Sequence, residues 1–303
     1  MIFKDENQYS DFYSDLKSDS SMMAVKDLMQ NPITISKNSK ISDAITKMLV
    51  KNISRLIVVD EVNPIGIVTE KDIGLFLLQD KTDRKLVEIP ISEIVKNLFL
   101  VDESTTVKDC ANIMLDKQIS SLVIGSNKKI QGIVTKTDLT KYFADNYPSA
   151  RSVGEFMSTV YFWSYSNDPL FKVLAKMIDR KISRIILRNQ NEKPEGILSF
   201  RDLFKIALNL GNEEVLEDNT MPDVSVIFSR KGFISESGFG GISTASQVMK
   251  GKIISVNYDD DLAEACKILL KNKINGVGVL SSRGTLVGIL SKTDVMLAIA
   301  TIT

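Results

Sequence analysis

One seven-residue pattern occurs four times along the chain and limits the folds available to it. Each copy consists of a glycine, two branched apolar residues, a threonine or serine, two variable residues and an aspartate. The copies run over residues 66–72, 132–138, 196–202 and 288–294. A pattern that recurs in this way predicts one structural unit used four times.

The spacing around the pattern supports a repeated unit. In the first copy, a run with helical periodicity begins at Ile41. In all four copies, the first residue of this run lies 12 positions before the isoleucine that opens the next segment. That isoleucine precedes the motif glycine by 13 or 14 residues. Two branched segments flank a polar turn at 61–64, which predicts a β-hairpin. The predicted unit is therefore strand, helix, strand, strand, helix.

Composition excludes several classes of function. The 38 basic and 38 acidic residues balance, which argues against a nucleic-acid partner bound through exposed lysines. The chain has no histidine, so Ser-His and Cys-His nucleophile pairs and histidine zinc sites are excluded. We find no paired catalytic carboxylates and no metal-ligand cluster either. The sequence therefore predicts a protein that is not an enzyme and requires no cofactor.

The sequence also predicts the cellular location of the protein and the role of its two cysteines. No apolar run approaches the roughly 18 residues of a spanning helix, and the N-terminus lacks the apolar core of a secretion signal. We therefore predict a cytoplasmic protein without membrane contact. Cys110 and Cys266 lie at core-facing positions of helical segments, which predicts small buried hydrophobes rather than a disulfide or a nucleophile.

The hydroxyl-x-x-aspartate step of each motif has two interpretations. Thr69 as N-cap and Asp72 at the third helical position form a capping box, which stabilises a helix by about 1 kcal/mol. The same turn offers free N–H groups and a positive helix end to a phosphate, and the aspartate can accept hydrogen bonds from a ribose. Basic residues at the variable positions could assist: Lys71, Lys136, Arg201 and Lys292. Since capping accepts Glu or Gln as well, four aspartates favour a ligand.

The span from about 22 to 300 resembles four cystathionine-β-synthase (CBS) domains. Met29, the extended residues 33–35, the hydrophobic segment 53–60 and the motif 66–72 match the family pattern in order. The resemblance implies an α/β fold of four βαββα CBS repeats. Repeats one and two would pair, as would three and four, giving two pseudo-two-fold CBS-pair (Bateman) modules.

The resemblance also implies the domain boundaries. Residues 1–21 form a polar N-terminal tail, and 22–146 form the first CBS pair, with repeats at about 22–80 and 89–146. Residues 147–303 form the second pair, with repeats at about 151–209 and 246–303. The glycine-to-glycine distances of 66, 64 and 92 residues place an insert, about 211–245, inside the second pair.

Clefts between paired CBS repeats hold adenine nucleotides such as AMP, ADP, ATP or S-adenosylmethionine, and the resemblance implies such clefts here. Four carboxylates would hold ribose: Asp72, Asp138, Asp202 and Asp294. Four hydroxyls would lie near phosphate or ribose: Thr69, Thr135, Ser199 and Ser291. First-strand and hairpin residues would line the base pocket: Thr34, Leu100, Trp163, Ser255, Arg55, Ser121, Arg184 and Gly276.

The chain departs from the family at several positions. The usual hairpin proline is replaced by Ile57, Val123, Ile186 and Gly278, and repeats three and four carry serine in place of the motif threonine. Trp163 could stack on an adenine or could fill the pocket and close it.

The predicted function is therefore regulatory sensing of an adenine nucleotide, with the output passed to a separate, unidentified protein target or to self-association. The alternative is a ligand-free scaffold or interaction protein in which the four motifs only cap helices. Two modules could close into a disc within one chain, or a homodimer could do so.

Overall fold

The computed structural model describes residues 23–80, 82, 84–126, 129–209 and 244–302. The predicted tail, 1–21, and residues 211–243 of the predicted insert lie outside the described residues. Within the described ranges, no helix combines the length and hydropathy needed to cross a bilayer.

The first repeat shows how the unit is built. It contains β1 (Thr34–Ser36), α1 (Ile41–Val50), β2 (Arg55–Asp60), β3 (Asn63–Thr69) and α2 (Glu70–Gln79). β1 lies parallel to β2, which pairs antiparallel with β3. Asn63 and Pro64, predicted as part of the turn, are the first residues of β3. The turn is shorter than predicted because Glu61 adopts the left-handed region at φ 55°.

The other repeats contain the same five elements in the same order, with lengths that vary by a few residues, and the third and fourth each have one short α-helix or strand before them. The second contains β4 (Leu100–Val101), α3 (Val107–Asp116), β5 (Ser121–Ser126), β6 (Lys129–Thr135) and α4 (Lys136–Asn146). The third contains α5 (Val153–Phe156), β7 (Trp163–Tyr165), α6 (Leu170–Asp179), β8 (Arg184–Arg188), β9 (Pro194–Ser199) and α7 (Phe200–Asn209). The fourth contains β10 (Lys250–Gly251), β11 (Ser255–Asn257), α8 (Leu262–Lys271), β12 (Gly276–Leu280), β13 (Leu286–Ser291) and α9 (Lys292–Thr301). The predicted α/β class and βαββα unit are confirmed.

The crossover helix ends in the same way in every repeat. The residue before the hairpin isoleucine takes a positive φ of 51° to 55° in Asn52, Gln118, Lys181 and Lys273. A left-handed residue stops the helix and redirects the chain toward the second strand. None of the four is glycine, so each position carries a small conformational cost.

Adjacent repeats are joined through the second strand of each hairpin. In the first pair, Gln30 bridges to Ile133 on β6, and Lys96 bridges to Ile67 on β3. In the second pair, Ser158 bridges to Ile289 on β13, and β10 pairs antiparallel with β9. The segment that enters each repeat therefore runs along the last strand of its partner.

The motif glycine allows this close approach. A Cβ on Gly66 would lie 2.6 Å from the carbonyl oxygen of Lys96, and one on Gly288 would lie 2.8 Å from that of Ser158. A Cβ on Gly132 would lie 2.6 Å from the Met29 sulfur. The recurrence of glycine thus has a packing reason, which the sequence did not reveal.

The helices pack across the two pairs. α3 and α4 of the second repeat contact α8 and α9 of the fourth, and α1 and α2 of the first repeat contact α7 of the third. One buried core, from Ile35 to Ala245, therefore combines the strands and helices of repeats one and three, and the other, from Val25 to Ile299, combines those of repeats two and four. A small third cluster, Ile57, Val123 and Ile133, fills the space between the two sheets of the first pair. The two pairs face each other within one chain.

Candidate functional site

The hydroxyl and aspartate of each motif cap the following helix in all four repeats. The backbone N–H of the cap residue donates to the aspartate Oδ2 at 2.9 Å for Thr69 and Asp72 and at 2.8 Å for Thr135 and Asp138. The distances are 2.8 Å for Ser199 and Asp202 and 2.6 Å for Ser291 and Asp294. Each cap hydroxyl also donates to the same Oδ2 at 2.5 to 2.7 Å. The predicted capping geometry is therefore present before any ligand is considered.

Capping does not use the whole carboxylate. Among the described residues, the hydrogen bonds of Asp72 and Asp138 go to Oδ2, which leaves Oδ1 available to a ligand. Oδ1 of Asp294 accepts from the Ser158 hydroxyl at 3.0 Å. A helix cap and a ribose contact can therefore coexist on one aspartate.

Two of the candidate clefts combine an arginine from one repeat with an aspartate from its partner. Arg55 of the first repeat donates to the Ser120 carbonyl of the second and is attracted by Asp138. Arg184 of the third repeat donates to the Asn275 carbonyl at 2.8 Å and is attracted by Asp294. Burial lowers the pKa of Arg55 to about 10, and the attraction of Glu70 and of Asp138 opposes this change.

We assign Thr34 to the same candidate cleft as Asp138. It follows the segment whose Gln30 exchanges backbone hydrogen bonds of 2.8 and 2.9 Å with Ile133, on the strand that leads into Thr135 and Asp138. We name this site, formed by Thr34, Arg55, Thr135 and Asp138, the first cleft. The pseudo-equivalent site, formed by Trp163, Arg184, Ser291 and Asp294, is the second cleft.

The opposite pair supplies a lysine to each cleft. Lys136 donates to the Thr293 hydroxyl at 3.0 Å, and Lys292 donates to the Thr137 hydroxyl at 2.8 Å, so the contact between repeats two and four is reciprocal. Burial lowers the pKa of each lysine to about 8, and repulsion from the two arginines, Arg184 and Arg55, adds to the effect. Asp294 attracts Lys136, and Asp138 attracts Lys292.

Four cations therefore meet where the two pairs face each other. We call Arg55, Lys136, Arg184 and Lys292 the cationic centre. Lys292 is 7% exposed. Burial is the main cause of the lowered lysine pKa values, and repulsion from the two arginines adds to it.

The contact between repeats one and three is different, because its charges neutralise each other. Arg201 forms an ion pair with Glu70 and donates to Asn52 Oδ1 at 2.8 Å and to the Ile53 carbonyl at 2.6 Å. Burial raises the pKa of Glu70, and the attraction of Arg201 opposes the rise. Arg201, a candidate phosphate ligand in the sequence, is thus engaged in joining the two pairs.

The other two aspartates lie outside the cationic centre. Asp72 and Asp202 follow Glu70 and Phe200, which occupy the motif positions held by Lys136 and Lys292 in the even-numbered repeats. Asp202 is 8% exposed. The structure therefore distinguishes Asp138 and Asp294, which attract members of the cationic centre, from Asp72 and Asp202, a difference that the four similar motifs hide.

Two open depressions lie elsewhere on the surface. One, of about 340 Å³, is lined by Asp102, Glu103, Gly125, Ser126, Lys129 and Gln131. The other, of about 450 Å³, is lined by Pro64, Ile65, Asn97 and Leu98. Neither includes a motif aspartate or a member of the cationic centre, so we base no site on them.

The CBS domain family matches the chain at residues 25–77, 91–145, 153–209 and 245–301. The chain belongs to the CBS domain family, and the predicted resemblance is confirmed.

Relatives of this chain occur in archaea. It is 33% identical over 165 residues to the uncharacterised protein MJ1404 of Methanocaldococcus jannaschii, covering 50% of this chain and 38% of that protein. It is 27% identical over 195 residues to protein MJ1225 of the same organism, covering 60% of this chain and 69% of that protein. The chain thus spans well under half the length of MJ1404.

Two solved structures share the fold over most of the chain. The crystal structure of MJ1225, proposed as an archaeal homolog of g-AMPK, superposes with a TM-score of 0.75 at 20% identity, covering 91% of this chain and 99% of that one. An uncharacterised conserved protein of Pyrococcus horikoshii gives 0.59 at 18% identity, covering 91% and 100%. At these identities the likeness establishes the fold of four repeats.

Proposed function

We propose that this chain is a regulatory sensor that binds an adenine nucleotide, with the phosphates at the cationic centre. One observation carries the proposal: four cations, Arg55, Lys136, Arg184 and Lys292, meet between the two pairs, and the attraction of Glu70, Asp138 and Asp294 offsets their burial and repulsion only in part. A phosphate monoester brings about −1.5 to −2 charges and three acceptor oxygens, which match such a cluster. MJ1225, described as a homolog of g-AMPK, is consistent with a nucleotide-linked role.

The neighbouring residues supply the rest of a nucleotide site. In the first cleft, Oδ1 of Asp138 would accept from the ribose hydroxyls while Oδ2 remains in the cap. Thr135 lies at the N-terminus of α4, where the helix dipole favours an anion. Thr34 provides a small first-strand residue beside the base. In this proposal Arg55 binds phosphate, which revises its predicted place in the base pocket.

The arrangement also provides a route for regulation. Each cleft receives an arginine and an aspartate from one pair and a lysine from the other. A bound phosphate would therefore draw Lys136 or Lys292 toward the opposite pair and tighten the contact between them. The resulting change in shape or rigidity would be passed to a protein target. The proposed role is binding and needs no catalytic group.

Isothermal titration calorimetry with AMP, ADP, ATP, S-adenosylmethionine and adenosine tests the proposal. We expect the phosphate-bearing ligands to bind and adenosine to bind at least about tenfold more weakly, since charge-assisted hydrogen bonds supply most of the affinity. Affinity should fall as salt is raised. Absence of binding by every nucleotide at millimolar concentration would leave the four motifs as helix caps in a scaffold protein.

An Arg55→Met variant provides the structural arm of the test. It keeps much of the side-chain volume and removes the charge, so nucleotide binding should weaken while the fold persists. Lys51→Met is the matched control, because Lys51 is exposed at the end of α1 in the first repeat and lies outside the cationic centre and the motifs. Equal effects of the two changes would contradict a specific phosphate site.

A further inference from the structure

The second cleft contains a cluster of aromatic rings and cations at the position predicted for the nucleotide base. The guanidinium carbon of Arg188 lies 4.8 Å from the centre of the Trp163 ring, and Lys176 Nζ lies 5.5 Å from it. Arg188 is also 5.6 Å from the Tyr161 ring centre, and its Nη2 donates to the Tyr161 hydroxyl at 2.7 Å. Tyr165 packs edge-on against Trp163 at 5.2 Å. The Trp163 ring is therefore already covered by side chains of its own repeat.

Trp163 lies on the face of the sheet that borders Asp294. It pairs with Ile186, two residues along β8 from Arg184, whose side chain shares that face and is attracted by Asp294. The segment entering β7 contacts the same aspartate through the Ser158 hydroxyl. A base bound beside Asp294 would thus meet the Trp163 ring and the guanidinium on it.

The first cleft has no such cover. By strand register, Thr34 occupies the position of Trp163, and Val59 occupies that of Arg188. Pro32 stands where the third repeat has Tyr161. A threonine and a valine leave the first-strand face open to a planar ligand, so the two pseudo-equivalent clefts differ at the base position.

Arg188 is held by stacking more than by hydrogen bonds. Its Nε is fully buried and has no hydrogen-bond partner among the described residues. A buried donor without a partner is unfavourable and persists where other contacts fix the group. The faces of Trp163 and Tyr161 provide those contacts, because a desolvated guanidinium is attracted to aromatic rings.

We propose that Arg188 closes the second cleft by occupying the face of Trp163 that a base would need, so that nucleotide binds first, and more tightly, in the first cleft. Arg188 is then the residue that determines which cleft is used. The proposal rests on the nucleotide-binding function proposed above.

The chain offers a direct readout, because Trp163 is its one tryptophan. Tryptophan emission during a titration with ADP reports the second cleft alone, whereas calorimetry counts both clefts. In the unaltered protein we expect one tight site per chain by calorimetry, with Trp163 emission unchanged through the first equivalent. Tight binding that changes Trp163 emission from the first addition would overturn the proposal without any variant.

Arg188→Val, which installs the residue found at the equivalent position of the first repeat, should open the second cleft. Acrylamide should then quench Trp163 more strongly without ligand. A second site within about tenfold of the first should appear, and ADP should change Trp163 emission. Arg180→Val is the control, because Arg180 lies 5.5 Å from the ring of Phe162 in the same repeat but not on Trp163.

The outcomes separate the two proposals. Two equally tight sites in the unaltered protein, or a single site retained in Arg188→Val, overturns the role of Arg188 and leaves nucleotide binding standing. No heat from either protein with any nucleotide overturns nucleotide binding and the role of Arg188 together. If Arg188→Val fails to fold, the titration of the unaltered protein still decides the question.

Discussion

Substitution of Lys292 tests whether the cationic centre binds a ligand or stabilises the fold. Its side chain is 7% exposed, and burial with repulsion from two arginines lowers its pKa from 10.5 to about 8. We predict that Lys292→Met stabilises the nucleotide-free protein at pH 7 and weakens nucleotide binding. If Lys292 only stabilised the fold, Lys292→Met would lower the stability of the nucleotide-free protein instead.

The magnitude follows from the displaced pKa. A separation from 10.5 to about 8 corresponds to an upper limit of about 3 kcal/mol of destabilisation by the charged lysine, at roughly 1.4 kcal/mol per pH unit. Loss of the hydrogen bond to Thr137 reduces this gain in stability by about 1 kcal/mol. We therefore expect a gain of about 1 to 2 kcal/mol, or a few degrees in Tm.

The lowered pKa of Lys292 determines how the stability of the protein changes with pH. Between pH 8 and pH 10.5 the unfolded chain holds a proton on Lys292 that the folded chain has released, so stability rises with pH in this window. Lys136, whose pKa is also lowered to about 8, contributes in the same direction. Thermal unfolding of the unaltered protein should show this rise, and Lys292→Met should show less of it.

The assay combines thermal unfolding from pH 7 to 10 with ADP titration at pH 7. Lys267→Met is the matched control: Lys267 is 50% exposed and pairs with Glu264 three residues earlier on α8. Its loss should cost a few tenths of a kcal/mol and leave binding unchanged. Loss of stability in Lys292→Met with unchanged ADP affinity would refute the reasoning and make Lys292 a structural link to Thr137.

Three further changes test other parts of the structure. Asp138→Asn should weaken ADP binding by about tenfold while costing about 1 kcal/mol of stability, since the amide oxygen can still accept at the cap; stability loss with unchanged affinity would assign Asp138 to capping alone. Gly66→Ala should lower the free energy of unfolding, measured in urea, by about 1 to 3 kcal/mol, because its Cβ would lie 2.6 Å from a backbone oxygen. In the control Gly251→Ala the added Cβ would meet nothing within 4 Å, so the free energy of unfolding should change little. Arg201→Met should destabilise the fold by about 2 to 4 kcal/mol, because it leaves the 15%-exposed Glu70 carboxylate without its ion-pair partner. Adding Glu70→Gln to this variant should restore part of the lost stability. Additive losses in this double-mutant cycle would contradict a coupled pair.

The repeat, its secondary structure and its helix caps were predictable because each depends on local sequence. Thr69 and Asp72 are three residues apart, so the spacing alone specifies their contact. The α/β class follows from the same local patterns. The hairpin turn was predicted too long, since no propensity rule identifies Glu61 as a left-handed residue.

The contacts across the two pairs were not predictable in this way. Nothing in the local sequence indicates that Glu70 meets Arg201, or that Lys292 meets Thr137, since these partners are 131 and 155 residues apart. The role of Arg188 was missed for the same reason, although a signal existed: it replaces a valine at the matching position of the first repeat. Trp163 was identified as a residue that either stacks on the ligand or closes the pocket, and the structure places Arg188 on its ring.

The sharing of cores between the halves has a consequence for how the chain can be divided. Repeats one and three build one large interior, and repeats two and four build the other, so both of these interiors contain segments from both sides of the connection near residue 150. A cut at that connection would produce two fragments that each carry half of two interiors. Their folding would then depend on concentration, as in an obligate heterodimer, and a ligand that binds across the centre would raise the affinity of one fragment for the other.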